Sequence, residues 1–350
     1  MKAGERTLRE IYGQPAVWRR CLQALANTNL DILMPDKDPF SFQWIFVGCG
    51  TSYYLAQAAA ASFKDLAAVP ANAVPASEIL LFPELHLPVW NPTVFPVLIS
   101  RSGRTSEVLE VGEVLKERGI QFLAVTCDGN ELAELTHRTL KLPVVEESTV
   151  MTSSFSSMLI ALQYIAAKFA GRLDFIEALN ALPSELNRLF ELYASQTEDF
   201  ARQSFEDVTF LAQGPLYPIA EEVSLKIMES SSTYAQFFHS LEFRHGPKSI
   251  VSEKVLVGCL LSEAGFAKES AVLIEMKELG AATLAIANKF TPAVRSSADL
   301  AIELSLGVPE LARLVVYLVW GQLLGCYFGL QKGLDPDSPR NLSRVVTLAG

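Results

Sequence analysis

An internal repeat is the feature that most constrains how this chain can fold. The apolar segments FQWIFVGCG and FEDVTFLAQG are followed by helical patterns, and aligning Gly50 with Gly214 also superimposes Tyr53 on Tyr217. A second pair of segments, VLISRSGRTSEV and CLLSEAGFAKES, matches in the same order and at nearly the same offset. Such colinear self-similarity is typical of duplication, and it predicts two copies of one structural unit.

Each copy has the sequence pattern of an α/β unit. Short apolar runs rich in β-branched residues alternate with longer helical patterns, which is typical of βαβ units around a parallel sheet. The predicted strands are 44–47, 94–99 and 122–126 in the first copy and 209–212, 255–261 and 283–287 in the second. The sequence therefore predicts an α/β fold with two parallel sheets in tandem, each flanked by helices.

The repeat also sets the predicted domain boundaries. The stretch between the copies has a charged amphipathic helical pattern, with a break expected near Pro183. The predicted organisation is an N-terminal helical segment at 1–40, the first copy at 41–170, a helical linker at 171–204, the second copy at 205–330 and a C-terminal tail at 331–350.

Composition excludes several classes of function. The 350 residues include 29 Lys and Arg against 39 Asp and Glu, and no window is rich in basic residues, so nucleic acid is not an expected partner. The N-terminus is polar and the five cysteines are scattered singly, which predicts a cytoplasmic protein without a secretion signal. The apolar segment 311–331 is predicted as a buried core helix, and no membrane partner is expected.

The loop SRSGRTSEV has the composition of a phosphate site. It follows the predicted strand at 94–99, and Ser100, Ser102 and Thr105 surround a glycine where a helical pattern begins. Hydroxyls and free backbone N–H groups at a helix N-terminus suit an anion. The matching loop SEAGFAKES keeps the glycine but loses two of these hydroxyls. An anion site in the first copy is therefore favoured over the alternative that the hydroxyls only cap the helix.

Two further loops are candidates for ligand binding. GCGTSYY follows the first predicted strand, but it lacks the third glycine of a dinucleotide-binding fingerprint, which makes that alternative weak. The serine-rich stretch ESTVMTSSFSSM at 147–158 precedes an apolar helical pattern. Its sequence is equally compatible with a ligand-facing loop and with a helix cap.

A narrow polar stripe marks the second copy. On the helical pattern after Gly214, Glu222, Lys226 and Glu229 fall within a band about 60° wide, and apolar residues fill the rest of the circumference. This pattern favours a cleft with proton-transfer groups over a solvated, salt-bridged face. His245 lies beside a Gly-Pro turn and is a candidate acid or base, although a lone histidine is more often structural. No His or Cys spacing in the sequence indicates a metal site.

Together these motifs resemble the sugar isomerase (SIS) domain family. The resemblance is carried by GCGTS, SRSGRTSE, LKIMESSSTYAQFFHSLEFRHGPKS and the tail KGLDPDSPRNLSRVVTLAG, and it covers about residues 40–350. It is closest to the isomerase half of glutamine:fructose-6-phosphate amidotransferases and to amino-sugar-phosphate deaminase/isomerases. The resemblance implies two flavodoxin-like domains in a homodimer, with a C-terminal tail that closes the active site.

The resemblance also implies roles for individual residues. The phosphate of a sugar 6-phosphate would bind the first-copy loops, and Glu229 would move a proton between C1 and C2. His245, contributed by the neighbouring subunit, would assist ring opening, and Lys226 and Glu222 complete the implied catalytic set. The implied phosphate ligands are Ser100, Arg101, Ser102, Thr105, Thr51 and Ser52, and the implied further substrate contacts are Cys49, Gly50, Val150, Thr152, Ser153 and Arg344.

The sequence departs from the amidotransferase pattern at several positions. Arg344 stands where those enzymes have the lysine that forms an imine with the ketose, and arginine stays protonated and cannot form that Schiff base. Arg101 and Arg104 replace a glutamine and a glutamate of the phosphate loop, and would strengthen phosphate binding if they faced it. Residue 2 is Lys2 and only some 40 residues precede the first copy, so a glutaminase domain is not expected.

We therefore predict an enzyme that converts glucosamine 6-phosphate or galactosamine 6-phosphate to the ketose 6-phosphate and ammonia. No metal and no organic cofactor is predicted. Alternatives within enzymes are a fructosamine-6-phosphate deglycase and an amidotransferase-like sugar isomerase. A phosphosugar-sensing protein without catalysis is a third alternative, but the retention of Glu229 and His245 favours an enzyme.

Overall fold

Two five-stranded parallel sheets form the fold in the computed structural model, which describes residues 2–87 and 94–347. The chain begins with helix α1 (Glu5–Ala26). The last three residues of the predicted tail, 348–350, lie outside the described residues.

The first sheet has the strand order β2-β1-β3-β4-β5, with all neighbours parallel. Its strands are β1 (Gln43–Gly48), β2 (Ala71–Pro75), β3 (Val94–Ile99), β4 (Leu123–Thr126) and β5 (Thr139–Lys141). The helices of this copy are α2 (Thr51–Ala67), α3 (Ala76–Leu81), α4 (Pro83–His86), α5 (Ser106–Glu117) and α6 (Ser153–Phe169). Every residue of β3 and β4 is buried, as expected for central strands of a parallel sheet covered on both faces.

Helix α7 (Leu173–Phe200) leads to the second sheet, whose order is β7-β6-β8-β9-β10. Its strands are β6 (Asp207–Ala212), β7 (Tyr234–His239), β8 (Val255–Leu260), β9 (Ala282–Ala287) and β10 (Leu300–Glu303). The helices are α8 (Tyr217–Ser231), α9 (Phe266–Glu278), α10 (Pro292–Ser296) and α11 (Glu310–Gln331). Because β6 to β10 occupy the places of β1 to β5, the predicted α/β fold with two tandem copies is confirmed.

The six predicted strands are all present, and four further strands were not predicted. The unpredicted strands are β2, β5, β7 and β10, which are the edge strands of the two sheets. They are short or only partly buried, so they lack the continuous apolar run that identifies a central strand.

The predicted break in the linker at Pro183 is wrong, because α7 continues through Pro183 as one helix of 28 residues. Its fully buried residues Leu179, Leu182, Leu186 and Leu189 follow the helical spacing on both sides of the proline. Burial of such an apolar stripe offsets the loss of about 3 kcal/mol that an interior proline causes.

The chain forms two compact units, one around each sheet. The unit with the first sheet comprises Ala16–Glu147, Ser153–Asn180 and Ser343–Gly350, and the unit with the second comprises Met1–Pro15, Ser148–Thr152 and Ala181–Leu342. Both α1 and α7 are divided between the units, so the predicted boundaries along the chain remain a proposal.

Helix α11 is the apolar segment for which a core position was predicted. Within residues 2–87 and 94–347 it is the one helix long and apolar enough to cross a membrane. Its most apolar stretch is 94% buried inside the protein, as in the core helix of a globular unit.

Candidate active site

The predicted phosphate loop connects β3 to α5 and brings three hydroxyls together. The Oγ of Ser100 lies 3.0 Å from Oγ1 of Thr105 and 3.5 Å from Oγ of Ser102, and these three residues are named the hydroxyl cluster. The backbone N–H groups of Gly103 and Arg104 donate to Ser100 and Ser102. A compact set of hydroxyls at the start of a helix is suited to receive a phosphate.

The hydroxyl of Thr105 does not cap the helix that it precedes. Thr105 is the N-cap residue of α5, but its side chain makes no capping hydrogen bond. Gly103 has a φ of +65°, a conformation that favours glycine, and a Cβ on Gly129 would lie 2.1 Å from the carbonyl oxygen of Ser102. The glycines therefore close the turn, and the alternative that the hydroxyls only cap the helix loses support.

The loop after β1 lies beside the phosphate loop, because β1 and β3 are adjacent parallel strands. Gly50 precedes α2 with a φ of +52°, and Thr51 and Ser52 are buried in the first helical turn. Burial, and then the charge of Glu107, raises the pKa of the Cys49 thiol to about 11. Cys49 is therefore a neutral thiol near pH 7 rather than a thiolate nucleophile.

Both arginines of the phosphate loop pair with carboxylates. The Nη1 of Arg101 donates to the Glu146 carboxylate at 3.0 Å, and its Nη2 donates to the backbone carbonyl of Arg344 at 3.0 Å. Arg104 pairs with Glu131 on the surface. Arg101 was predicted as a phosphate ligand, but its guanidinium balances a buried carboxylate that would be costly to leave unpaired. We therefore omit Arg101 from the proposed phosphate ligands.

Glu146 is a buried residue that was not predicted for the site. Its carboxylate accepts hydrogen bonds from the hydroxyl of Ser153 and the backbone N–H of Ser154, both at 3.1 Å, as well as from Arg101. Burial favours protonation, but Arg101 and the Ser154 hydroxyl outweigh it and lower the pKa of Glu146. The feature of the sequence that could have indicated a role for Glu146 at the site is its position just before the serine-rich stretch.

The remaining residues predicted for substrate contact are divided between the two units. Ser153 begins α6 and joins the phosphate-loop unit through Glu146. Val150 and Thr152 are buried in the unit of the second sheet, where Gln322 donates to the backbone carbonyl of Thr152. The Nη2 of Arg344 donates to the backbone carbonyl of Glu146 at 2.6 Å.

The polar stripe of the second copy forms a buried ionic triad on α8. The Nζ of Lys226 lies 3.3 Å from Oε1 of Glu222 and also forms an ion pair with Glu229. The side chains of Lys226 and Glu222 are 1% and 0% exposed, whereas Glu229 is 18% exposed. Burial disfavours the ammonium form, but the two carboxylates more than offset this and raise the pKa of Lys226. Lys226 is therefore charged near pH 7, and Glu229 is the member of the triad most open to a ligand.

A stripe of glycines on α11 lets it pack closely against α8. A Cβ on Gly325 would lie 2.7 Å from the carbonyl oxygen of Lys226, and one on Gly329 would lie 2.1 Å from that of Ser230. Gly321 faces α8 one turn earlier. The glycine stripe fixes the position of α8, which carries the triad. The spacing of four residues between these glycines is visible in the sequence and could have predicted this close helix packing.

His245 lies in the turn that follows β7. Its side chain is exposed, and Gly246 has a φ of +128°. On either side, Arg244 and Lys248 pair with Glu275 at 2.7 Å and 2.8 Å, which holds the turn in place. Within residues 2–87 and 94–347, no group of three or more His, Cys, Asp or Glu is placed to hold a metal ion.

The second-copy loop after β8 holds a carboxylate of its own. Both the backbone N–H and the hydroxyl of Ser262 donate to Glu269 at 2.7 Å, and a Cβ on Gly265 would clash with that carboxylate. Burial raises the pKa of Glu269, and a cavity of about 460 Å³ lies beside it. The corresponding loops therefore differ in their hydroxyls, because Ala264 and Ala267 stand in the second copy where the first has Ser102 and Thr105.

Comparison with known proteins gives a match to one domain family and to a set of longer relatives. The family model described as SIS domain matches residues 42–168 and 205–319. The chain is 26% identical over 362 residues to glutamine-fructose-6-phosphate aminotransferase (isomerizing) of Caldanaerobacter subterraneus subsp. tengcongensis, and 29% identical over 364 residues to that of Zymomonas mobilis. Each match covers 97% of this chain but 58% of the relative, so the chain spans about three fifths of their length.

Solved structures give a similar result over whole chains. Glucosamine-6-phosphate deaminase of Thermotoga maritima superimposes with a TM-score of 0.80 and 27% identity, covering 98% of this chain and 100% of that one. The tagatose-6-phosphate ketose/aldose isomerase of Escherichia coli superimposes with a TM-score of 0.82 over 96% of this chain and 95% of its own. At 21% identity the second likeness supports the fold alone.

Proposed function

Because the chain belongs to the SIS domain family, we propose that it is a sugar-phosphate isomerase that acts on an amino-sugar phosphate and releases ammonia. The observation that carries this proposal is the ionic triad on α8, in which Glu229 is the most exposed carboxylate beside a fixed ammonium ion. A binding protein that only senses a phosphosugar has no use for a carbon acid's base. The likeness to the deaminase of Thermotoga maritima supports the same reaction class.

The first copy is proposed to hold the substrate's phosphate. The hydroxyl cluster and the N-terminus of α5 would bind its oxygens, with Thr51 and Ser52 at the start of α2 as further donors. The second copy has alanine in place of Ser102 and Thr105, and its remaining hydroxyl, that of Ser262, donates to Glu269. This asymmetry supports one phosphate site per chain.

Proton transfer at C1 and C2 is proposed for Glu229. In the opened sugar the C1 aldehyde acidifies the C2–H bond, and Glu229 removes that proton to give an enolamine. Return of the proton to C1 converts the enolamine to an imine at C2, and water hydrolyses the imine to the ketose and ammonia. Lys226 supplies a positive charge beside this carboxylate, and Glu222 holds Lys226 from the buried side.

His245 is proposed to assist ring opening from the neighbouring subunit of a homodimer. Its exposed position on a turn that two ion pairs hold in place supports this assignment. An imidazole can donate or accept a proton near neutral pH, which ring opening requires. In this proposal a monomeric variant binds phosphate but turns over poorly.

The position of Arg344 favours deamination over transfer of nitrogen from glutamine. Its guanidinium is bound to the carbonyl of Glu146 and lies 3.1 Å from the carboxylate of Asp128. An arginine held in this way cannot form the imine that a lysine forms with an open-chain ketose.

The proposal is tested by incubating the protein separately with glucosamine 6-phosphate, galactosamine 6-phosphate and a fructosamine 6-phosphate. Release of ammonia from either hexosamine phosphate is the expected result, and release of a free amine from the third compound instead would support deglycation. Turnover of none of the three, with retained binding of fructose 6-phosphate, would contradict the enzyme proposal and favour a sensing protein.

A further inference from the structure

Three residues distant in sequence form a closed ring of hydrogen bonds beside the phosphate loop. The Arg101 guanidinium donates to the Glu146 carboxylate and to the backbone carbonyl of Arg344, each at 3.0 Å. The Arg344 guanidinium donates to the backbone carbonyl of Glu146 at 2.6 Å. The ring therefore joins the phosphate loop, the segment before α6 and the C-terminal tail.

The ring is firmly anchored at Arg101 and Glu146. The backbone carbonyl of Arg101 accepts hydrogen bonds from the N–H groups of Cys127 and Asp128, at 3.1 Å and 3.0 Å. The side chains of Arg101 and Glu146 are 6% and 1% exposed, whereas that of Arg344 is 41% exposed. Detachment of the tail would therefore expose little new surface at Arg344, whereas the Arg101–Glu146 ion pair would remain buried.

The tail continues to the helix terminus beside the hydroxyl cluster. The backbone carbonyl of Val346 accepts a hydrogen bond from the N–H of Ser106, the first residue of α5, at 3.4 Å. An N–H at this position is one of the donors that an anion at a helix N-terminus uses. The tail and a bound phosphate would therefore meet at the same end of α5.

We propose that Arg101 is a positioning residue, which holds the C-terminal tail over the phosphate loop instead of binding phosphate itself. Arginine suits this task because its planar guanidinium presents several donors at once, one to Glu146 and one to the tail carbonyl. Neither a glutamine nor a lysine side chain presents donors to both acceptors in this planar geometry. The role in phosphate binding rests on the proposed function, whereas the attachment of the tail does not.

Limited digestion with trypsin measures tail attachment without any substrate. Trypsin cleaves after Arg344, and intact-mass spectrometry detects the shortened chain. Arg101→Gln is expected to speed this cleavage about tenfold, because losing hydrogen bonds to a charged group shifts an opening equilibrium by about that factor. Arg104→Gln removes the same charge from the same loop without touching the ring, and is expected to leave the rate unchanged.

Two further variants exclude a general loss of structure. Arg101→Lys keeps the charge beside Glu146 and is expected to restore part of the protection. Arg101→Gln/Glu146→Gln leaves no buried charge unpaired, so it should fold even where the single variant does not, and it should still release the tail. A cleavage rate equal to that of the wild type in both Arg101→Gln and the double variant would overturn the proposal.

A double-variant cycle separates positioning from direct phosphate contact. Dissociation constants for glucosamine 6-phosphate are measured for the wild type and Arg101→Gln, each with and without residues 343–350. If Arg101 acts through the tail, Arg101→Gln weakens binding in the full chain and has no further effect once the tail is removed, whereas an equal loss in both backgrounds would overturn the proposal. If the wild type itself binds no sugar phosphate, the proposed function fails, and the trypsin result still decides whether Arg101 holds the tail.

Discussion

Replacement of Lys226 by methionine tests the electrostatics of the triad on α8. Methionine fills a similar volume without charge, so Glu222 and Glu229 lose the cation that lies between them. Because Glu222 is 0% exposed, its carboxylate remains buried without that cation. Removing one partner of a buried ion pair costs about 3–5 kcal/mol, so the free energy of unfolding at pH 7 should fall by about 4 kcal/mol.

Urea denaturation at pH 7 is the measurement. Lys226→Met/Glu222→Gln should recover most of the loss at pH 7. The matched control is Lys277→Met, which breaks an ion pair with Asp299 nearer the surface and should cost no more than about 1 kcal/mol.

Two results would refute this reasoning. One is a loss in Lys226→Met no larger than that in Lys277→Met. The other is a large loss that the added Glu222→Gln substitution does not reduce, which would indicate that packing rather than charge balance holds Lys226 in place.

Three further predictions concern the supports of the site. Gly325→Ala should force α11 away from α8 and lower both the melting temperature and turnover, whereas Gly307→Ala, where a Cβ meets nothing within 4 Å, should change neither. Thr105→Val should weaken binding of inorganic phosphate about tenfold in calorimetry, because one hydroxyl of the cluster is lost, and unchanged affinity would contradict the phosphate assignment. The lowered pKa of Glu146 predicts a stability contribution that is present above the ordinary glutamate pKa of about 4.3 and disappears as the pH falls below it. Urea denaturation between pH 3 and pH 6 should show this loss in the wild type and not in a Glu146→Gln variant. The other charged groups near the Glu146 carboxylate are Arg101, Arg344 and Asp128.

The central strands and the duplication were predictable from sequence because they depend on long-range patterns of burial. Parallel strands covered on both faces require continuous apolar runs, and β3 and β8 show them clearly. The edge strands carry no such constraint, since one side of each is unpaired. The helix break predicted at Pro183 is wrong for a related reason. The burial that offsets the cost of a proline inside α7 depends on tertiary packing and is not a local property of the sequence.

The site was predictable where a motif and a topological position coincided. The hydroxyl cluster lies at the carboxyl end of a central strand, and the α8 triad follows the helical period. The charge of Arg101 suggested a phosphate ligand, whereas in the structure its guanidinium pairs with Glu146, a residue 45 positions away. Long-range pairing of that kind leaves no trace in local composition.

The rate of ammonia release from glucosamine 6-phosphate by Glu229→Gln tests the central claim most directly. Glu278→Gln is the control, since it makes the same substitution at an exposed position on α9. The proposed proton transfer predicts that the control matches the wild type and that Glu229→Gln is slower by a factor of about 10² or more, with the sugar phosphate still bound. Ammonia release by Glu229→Gln at the wild-type rate would contradict it.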